Sequence, residues 1–118
     1  MINLDTSILT SIKKALGLTE DYTHFDSDII MHINTVLFRL KSLGVTPSAD
    51  LIITDYTSVW NDLLIGRTDL EAVKTYVYLN VRLLFDPPQT SFVINSFKEQ
   101  IATLEWLITE QAGGNLQE

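Results

Sequence analysis

Apolar residues recur every third or fourth position through most of this chain, and the rhythm breaks at glycine, proline or clusters of capping residues. Ile8, Leu9, Ile12 and Leu16 keep helical spacing between Ser7 and Leu16, and Gly17 follows as the residue that closes such a helix. Leu18 to Phe25 reads as a loop of turn-forming and cap-forming side chains. Asp26 or Ser27 then caps a second helix carrying Ile29, Ile30, Ile33, Val36, Leu37, Leu40 and Leu43, closed by Gly44. At about 1.5 Å per residue, Ser27 to Leu43 spans roughly 25 Å.

The pattern weakens in the middle. Val45 to Ala49, with Pro47, is a turn or linker. Leu51-Ile52-Ile53-Thr54 reads either as a short β-branched strand or as apolar loop packed on the helices. Thr57 to Leu64 sets Val59, Trp60, Leu63 and Leu64 on one face, a short helix ended by Gly66. Regularity returns at Thr68-Asp69-Leu70-Glu71, a capping box in which the Thr68 hydroxyl accepts from the Glu71 amide and Glu71 reaches back. That helix stops at Phe85, because the residue before a proline avoids the α region and neither Pro87 nor Pro88 has an N–H. A last helix runs from about Thr90 to Gln111 on the seam Ile94, Phe97, Ile101, Leu104 and Ile108. Gly113-Gly114 ends it.

These elements predict an all-α fold, a small bundle of about four or five helices with a long C-terminal helical hairpin. Residues 1–112 form a single helical domain in this reading, and 113–118 a flexible tail. The fourth helix, with Tyr76, Val77 and Tyr78 in succession, is apolar on nearly every side, so it is either central or sandwiched between subunits.

Composition narrows the function classes. At 118 residues and 46% hydrophobic, the chain can bury a core of its own, and without cysteine it has no disulfide, thiolate nucleophile or Cys-ligated zinc. A reducing cytoplasm is the default compartment. No apolar run approaches the roughly 20 residues that cross a bilayer, and Met1 to Asp5 lacks a signal-peptide layout. Eight basic residues against 15 acidic ones leave a net charge of −7, and the bases are scattered, which argues against gripping nucleic-acid phosphates. An acidic surface can still line a conduit through which DNA slides without sticking.

Chemistry-bearing residues are sparse. His24 and His32 flank Asp28 at helical reach, but no third or fourth metal ligand shares their register. Asp21, Asp26 and Asp28 lack the glycine and distal glutamate of a calcium loop, and a helix N-terminus accounts for such acids. A hydrolase built on Asp21, Asp26, Asp28 and His32 has no complete constellation. Neither a nucleophile elbow nor a phosphate-binding glycine pattern is present, so no catalytic, cofactor or metal residue is assigned. Trp60, Trp106, Tyr76, Tyr78 and Phe92 offer partner anchors instead, although a core place is the stronger reading for each taken singly, Trp106 excepted. Trp106 lies off the Ile101-Leu104-Ile108 seam, on a face the hairpin need not bury. Arg82, one turn before Asp86, can pair with it and lock the proline corner. The expected partner surface is Tyr76, Arg82, Asp86, Pro87, Pro88, Phe92 and Trp106.

The run from Glu71 through Leu79, then Val81-Arg82-Leu83-Leu84-Phe85-Asp86-Pro87-Pro88-Gln89-Thr90-Ser91-Phe92, resembles the head–tail connector (adaptor) proteins of tailed bacteriophages and prophages. Lys98 to Ile101, Leu104-Glu105-Trp106 and Asp26 to Asn34 extend the likeness, which is weakest between Val45 and Gly66. The resemblance implies a non-enzymatic, cofactor-free α-helical subunit made in the bacterial host. Copies close into a ring, commonly of about twelve, beneath the portal vertex. That ring extends the DNA channel without specific DNA binding and meets a stopper or tail-completion protein. The tail after Gly113 is similar to the segment by which such adaptors reach the portal. From a different class, the alternative is a stand-alone helical module that binds a partner in an apolar groove.

Overall fold

The computed structural model describes residues 6–44, 52–63 and 70–114, and among them it has five helices and no strand. They are α1 (Ile8–Ala15), α2 (Asp26–Ser42), α3 (Trp60–Leu63), α4 (Leu70–Phe85) and α5 (Ser91–Gly114). The expected all-α bundle with a C-terminal hairpin is the observed fold. α4 is the central element and packs against α1, α2 and α5. Val73, Tyr76, Val77, Leu79, Asn80 and Val81 are all buried, so the middle turns of α4 face protein on most sides.

Local chemistry explains each boundary. The Ser7 hydroxyl accepts from the Thr10 amide at 3.1 Å and starts α1. At the other end, Leu18 N–H donates to the Lys13 carbonyl and Gly17 N–H to that of Lys14, a Schellman closure with Gly17 at φ +87°. The N-cap of α2 falls one residue before Asp26, the earlier of the two expected caps. Phe25 is its N-cap and makes no side-chain capping bond, having no side-chain acceptor, while Asp26 lies in the first turn, where its carboxylate meets Lys13. Gly44, at φ +74°, closes α2 as expected.

α3 starts at Trp60, later than the Thr57 the pattern predicts. The Asp62 carboxylate accepts from the Val59 amide at 3.0 Å, which places the helix start at Trp60. Upstream, residues 58–60 are held extended: Ile8 N–H donates to the Ser58 carbonyl and Trp60 N–H to that of Thr6, an isolated bridge between Ser7 and Val59. Of the two readings of the apolar stretch before it, packed loop is the observed one for 52–54. Ile53 is buried, and the Asn34 amide group completes both of its backbone bonds, at 2.9 and 3.0 Å. The linker at 45–49, Leu64, Gly66, Thr68 of the capping box and residues 115–118 lie outside the described residues.

α4 stops at Phe85, where the proline pair predicts. Thr90 caps α5 through its hydroxyl, 3.3 Å from the Val93 amide, and the helix continues past the expected Gln111 to Gly114. The seam positions Ile101 and Ile108 are buried, and Phe97 and Leu104 are partly buried against the core. Burying residues of the size of Ile33, Trp60 or Tyr76 contributes about 1.5–3 kcal/mol each, the dominant favourable term of this fold.

Two polar contacts inside the bundle fix its layout. Lys13 is 2% exposed, and its ammonium reaches Asp26 Oδ1 and the Glu20 carbonyl, each at 2.9 Å, tying the 18–25 loop between α1 and α2. Oδ1 of Asp26 has no access to solvent, so its compensation is this ion pair, in which the approach is not that of a directed hydrogen bond. The second contact joins three helices. Tyr76 of α4 donates to Glu105 of α5 at 2.8 Å, Arg39 of α2 sits 3.7 Å from the same carboxylate oxygen, and Asn80 accepts from Arg39 at 3.4 Å. Burial first, then the Glu105 carboxylate, pushes the Tyr76 hydroxyl well above the ordinary tyrosine range.

Candidate partner-binding surfaces

Among the described residues no three His, Asp or Glu side chains come together to hold a metal, and no helix is long and apolar enough to cross a membrane. His24 is exposed and stacks edge-on against Phe25 at 4.6 Å, while His32 lies 6.4 Å from the Phe85 ring. What the surface does offer is large apolar side chains facing solvent, and α2 and α5 carry most of them.

The residues picked out from the sequence divide by depth. Tyr76 is fully buried, so it supports a surface from beneath through Glu105 and does not present one. Arg82, Asp86, Pro87 and Pro88 form the α4–α5 corner. Arg82 Nε donates to the Asp86 carbonyl at 2.5 Å, and its carboxylate is farther off at 3.9 Å, so the lock is chiefly to backbone. A further guanidinium bond to the Tyr78 hydroxyl at 3.3 Å holds the arginine along α4. Phe92 and Trp106 are 81% and 63% exposed. They lie 14 residues apart, about four turns, and therefore share one face of α5. Leu107 flanks them, itself exposed. Trp60, by contrast, is a core residue, its indole N–H donating to the Ser11 hydroxyl at 3.1 Å.

Sequence reasoning missed the outer face of α2. Met31 and Phe38 are 58% and 66% exposed and lie on the side opposite Ile33, Val36 and Leu40, with Ile52 exposed on the neighbouring segment. Ser27, Ile30, Met31, Asn34, Thr35 and Phe38 outline this face. The signal was available: Met31 and Phe38 fall off the core stripe at a seven-residue interval.

A groove of about 550 Å³ runs between α4 and α5. Ala72, Thr75, Ser96, Thr103 and Leu104 make its floor and walls, with Glu71 and Glu99 beside it. A smaller recess of about 320 Å³ lies where α2, α4 and α5 meet, lined by Val36, Arg39, Asn80, Leu83, Lys98 and Ile101 among others.

This arrangement suits binding by shape and apolar contact. No curated protein and no solved structure matches the chain. A family model described as phage connector protein matches residues 8–115, which takes in every helix of the bundle and both aromatic positions of α5. The family is a structural one, and its head–tail connector character agrees with the resemblance carried by the α4–α5 hairpin. A helical bundle whose outward chemistry is apolar surface, matched to that model over nearly its whole length, belongs to the phage connector protein family.

Proposed function

We propose that this chain is the head–tail connector subunit of a virion, assembling as a ring under the portal so that the DNA channel is extended and the head joined to the tail. Membership of the phage connector family carries this reading. Its partners are the portal protein and a stopper or tail-completion protein, and its place is the head–tail junction of a particle built in the bacterial host. The closed ring, of about twelve copies, requires two different surfaces on each subunit. Exposed apolar residues on α2 and on α5 support that requirement. The aromatic face of Phe92 and Trp106, with the rigid Arg82-Asp86-Pro87-Pro88 corner at its end, is the surface we assign to the portal or stopper.

The subunit acts by shape, without catalysis or cofactor. Its net charge of −7 suits a lumen through which DNA passes without being held. The α4–α5 groove is the observation that favours the second reading, a stand-alone module binding a partner in an apolar groove. Co-purification of this protein with the portal complex of its own genome separates the two. Stable association with portal supports the connector. No association across a range of protein concentrations, with intact portal, favours the module.

A further inference from the structure

Resting on the connector reading, we infer that the subunits of the ring meet through one contact, the outer face of α2 from one copy seated in the α4–α5 groove of the next. Three observations match the two surfaces. The first is pitch. Met31 and Phe38 stand seven residues apart on α2, about 10 Å along the axis, and Ser96 and Thr103 of the groove wall are also seven residues apart on α5. Two apolar knobs therefore face two small-residue positions at equal spacing, which is the condition for a helix to lie in a groove.

The second is charge. Glu71 and Glu99 are exposed beside the groove, whereas Lys41 and Arg39, the latter also held by Glu105 of its own copy, lie on either side of Phe38 around α2. Opposite signs thus border the two surfaces, which fixes register and speeds encounter. The third is placement. The two surfaces share no residue, and Met31 and Phe38 face away from the core that α2 shares with α4, so one copy cannot satisfy its own groove. A contact between unlike patches continues from copy to copy and closes by rotation, leaving Phe92 and Trp106 free for a different partner.

The absence of cysteine makes the contact measurable, since introduced thiols are the only ones present. Single-cysteine proteins Phe38→Cys and Thr103→Cys, or Phe38→Cys and Ser96→Cys, are mixed with portal under assembly conditions and treated with a short bis-maleimide. A cross-linked dimer is expected from a mixed pair and not from Phe38→Cys alone. Separately, Glu71→Lys/Glu99→Lys, two exposed changes whose fold is checked by circular dichroism, should raise the midpoint concentration for ring assembly roughly tenfold. The wild-type protein serves as the reference. If it forms a ring and neither mixed pair exceeds the signal of Phe38→Cys with Lys14→Cys on α1, the contact is wrong and the connector reading stands. If wild type forms no ring with intact portal, both fall. A double lysine variant that assembles like wild type also overturns the contact.

Discussion

Replacing Asp26 with alanine should destabilise the protein more than replacing Lys13 with methionine, although both remove the same ion pair. Asp26→Ala leaves an ammonium that is 3% exposed with only the Glu20 carbonyl for compensation. Breaking a buried pair in this way costs about 3–5 kcal/mol. Asp26 keeps 27% side-chain exposure, so water softens the loss, and about 2 kcal/mol is the expected cost, including some of the first-turn dipole term. Lys13→Met instead keeps the apolar stem, deletes the buried charge and lets the carboxylate turn to solvent, for a cost of about 0–1 kcal/mol. The double variant should recover to within about 1 kcal/mol of wild type, a coupling that only direct contact produces. Urea unfolding with an unchanged slope reads these differences, and about 4 °C of melting temperature accompanies each kcal/mol in a chain this size. Lys13→Met proving the more damaging single change, or the two losses simply adding, would refute the argument.

Other consequences follow from the same packing. Tyr76 holds its proton above the ordinary tyrosine value of about 10, so the folded state binds that proton where the unfolded chain releases it; this contribution is complete below pH ~10 and falls by up to about 1.4 kcal/mol per pH unit above it. Tyr76→Phe should flatten that alkaline decline in a pH series of unfolding curves, while costing about 1 kcal/mol near neutrality through the lost bond to Glu105. Gly17→Ala should cost about 1 kcal/mol by thermal melting, because its φ of +87° is unfavourable to a Cβ even though no atom lies close enough to clash. Phe92→Ser and Trp106→Ser should leave the melting temperature within about 2 °C of wild type, since both side chains face solvent, yet weaken portal binding at least fivefold in a titration.

How much of this was legible depends on whether a residue's role is local or tertiary. Gly17, Gly44 and the Asp86-Pro87-Pro88 stop act through their own backbone and Thr90 through a hydroxyl three residues from its partner, and each marks the boundary its chemistry dictates. The apolar stripe of α2 and the seam of α5 were equally readable, since both follow the helical period. Lys13 was not, because a lysine reads as surface until a loop brings the Glu20 carbonyl and Asp26 around it. Asp26 was misread as a cap for the same reason: the ion pair fixes it one position inside the helix. The 52–60 stretch was ambiguous because its backbone is satisfied by Asn34, 19 residues from Ile53, and by Thr6 and Ile8. Of the surface, Trp106 was legible as an off-seam aromatic, whereas Tyr76 was not separable from the core by pattern alone. Met31 and Phe38 passed unnoticed because the core stripe beside them satisfied the helix.

The central claim is that this bundle is a structural joint between head and tail. Its most direct measurement is an electron cryo-microscopy reconstruction of the purified portal complex after incubation with excess wild-type protein. The account predicts a closed ring of helical density beneath the portal, coaxial with the channel, with the α5 face bearing Phe92 and Trp106 against a neighbouring protein. Portal particles with no added density, or with single copies bound off the axis, would contradict it.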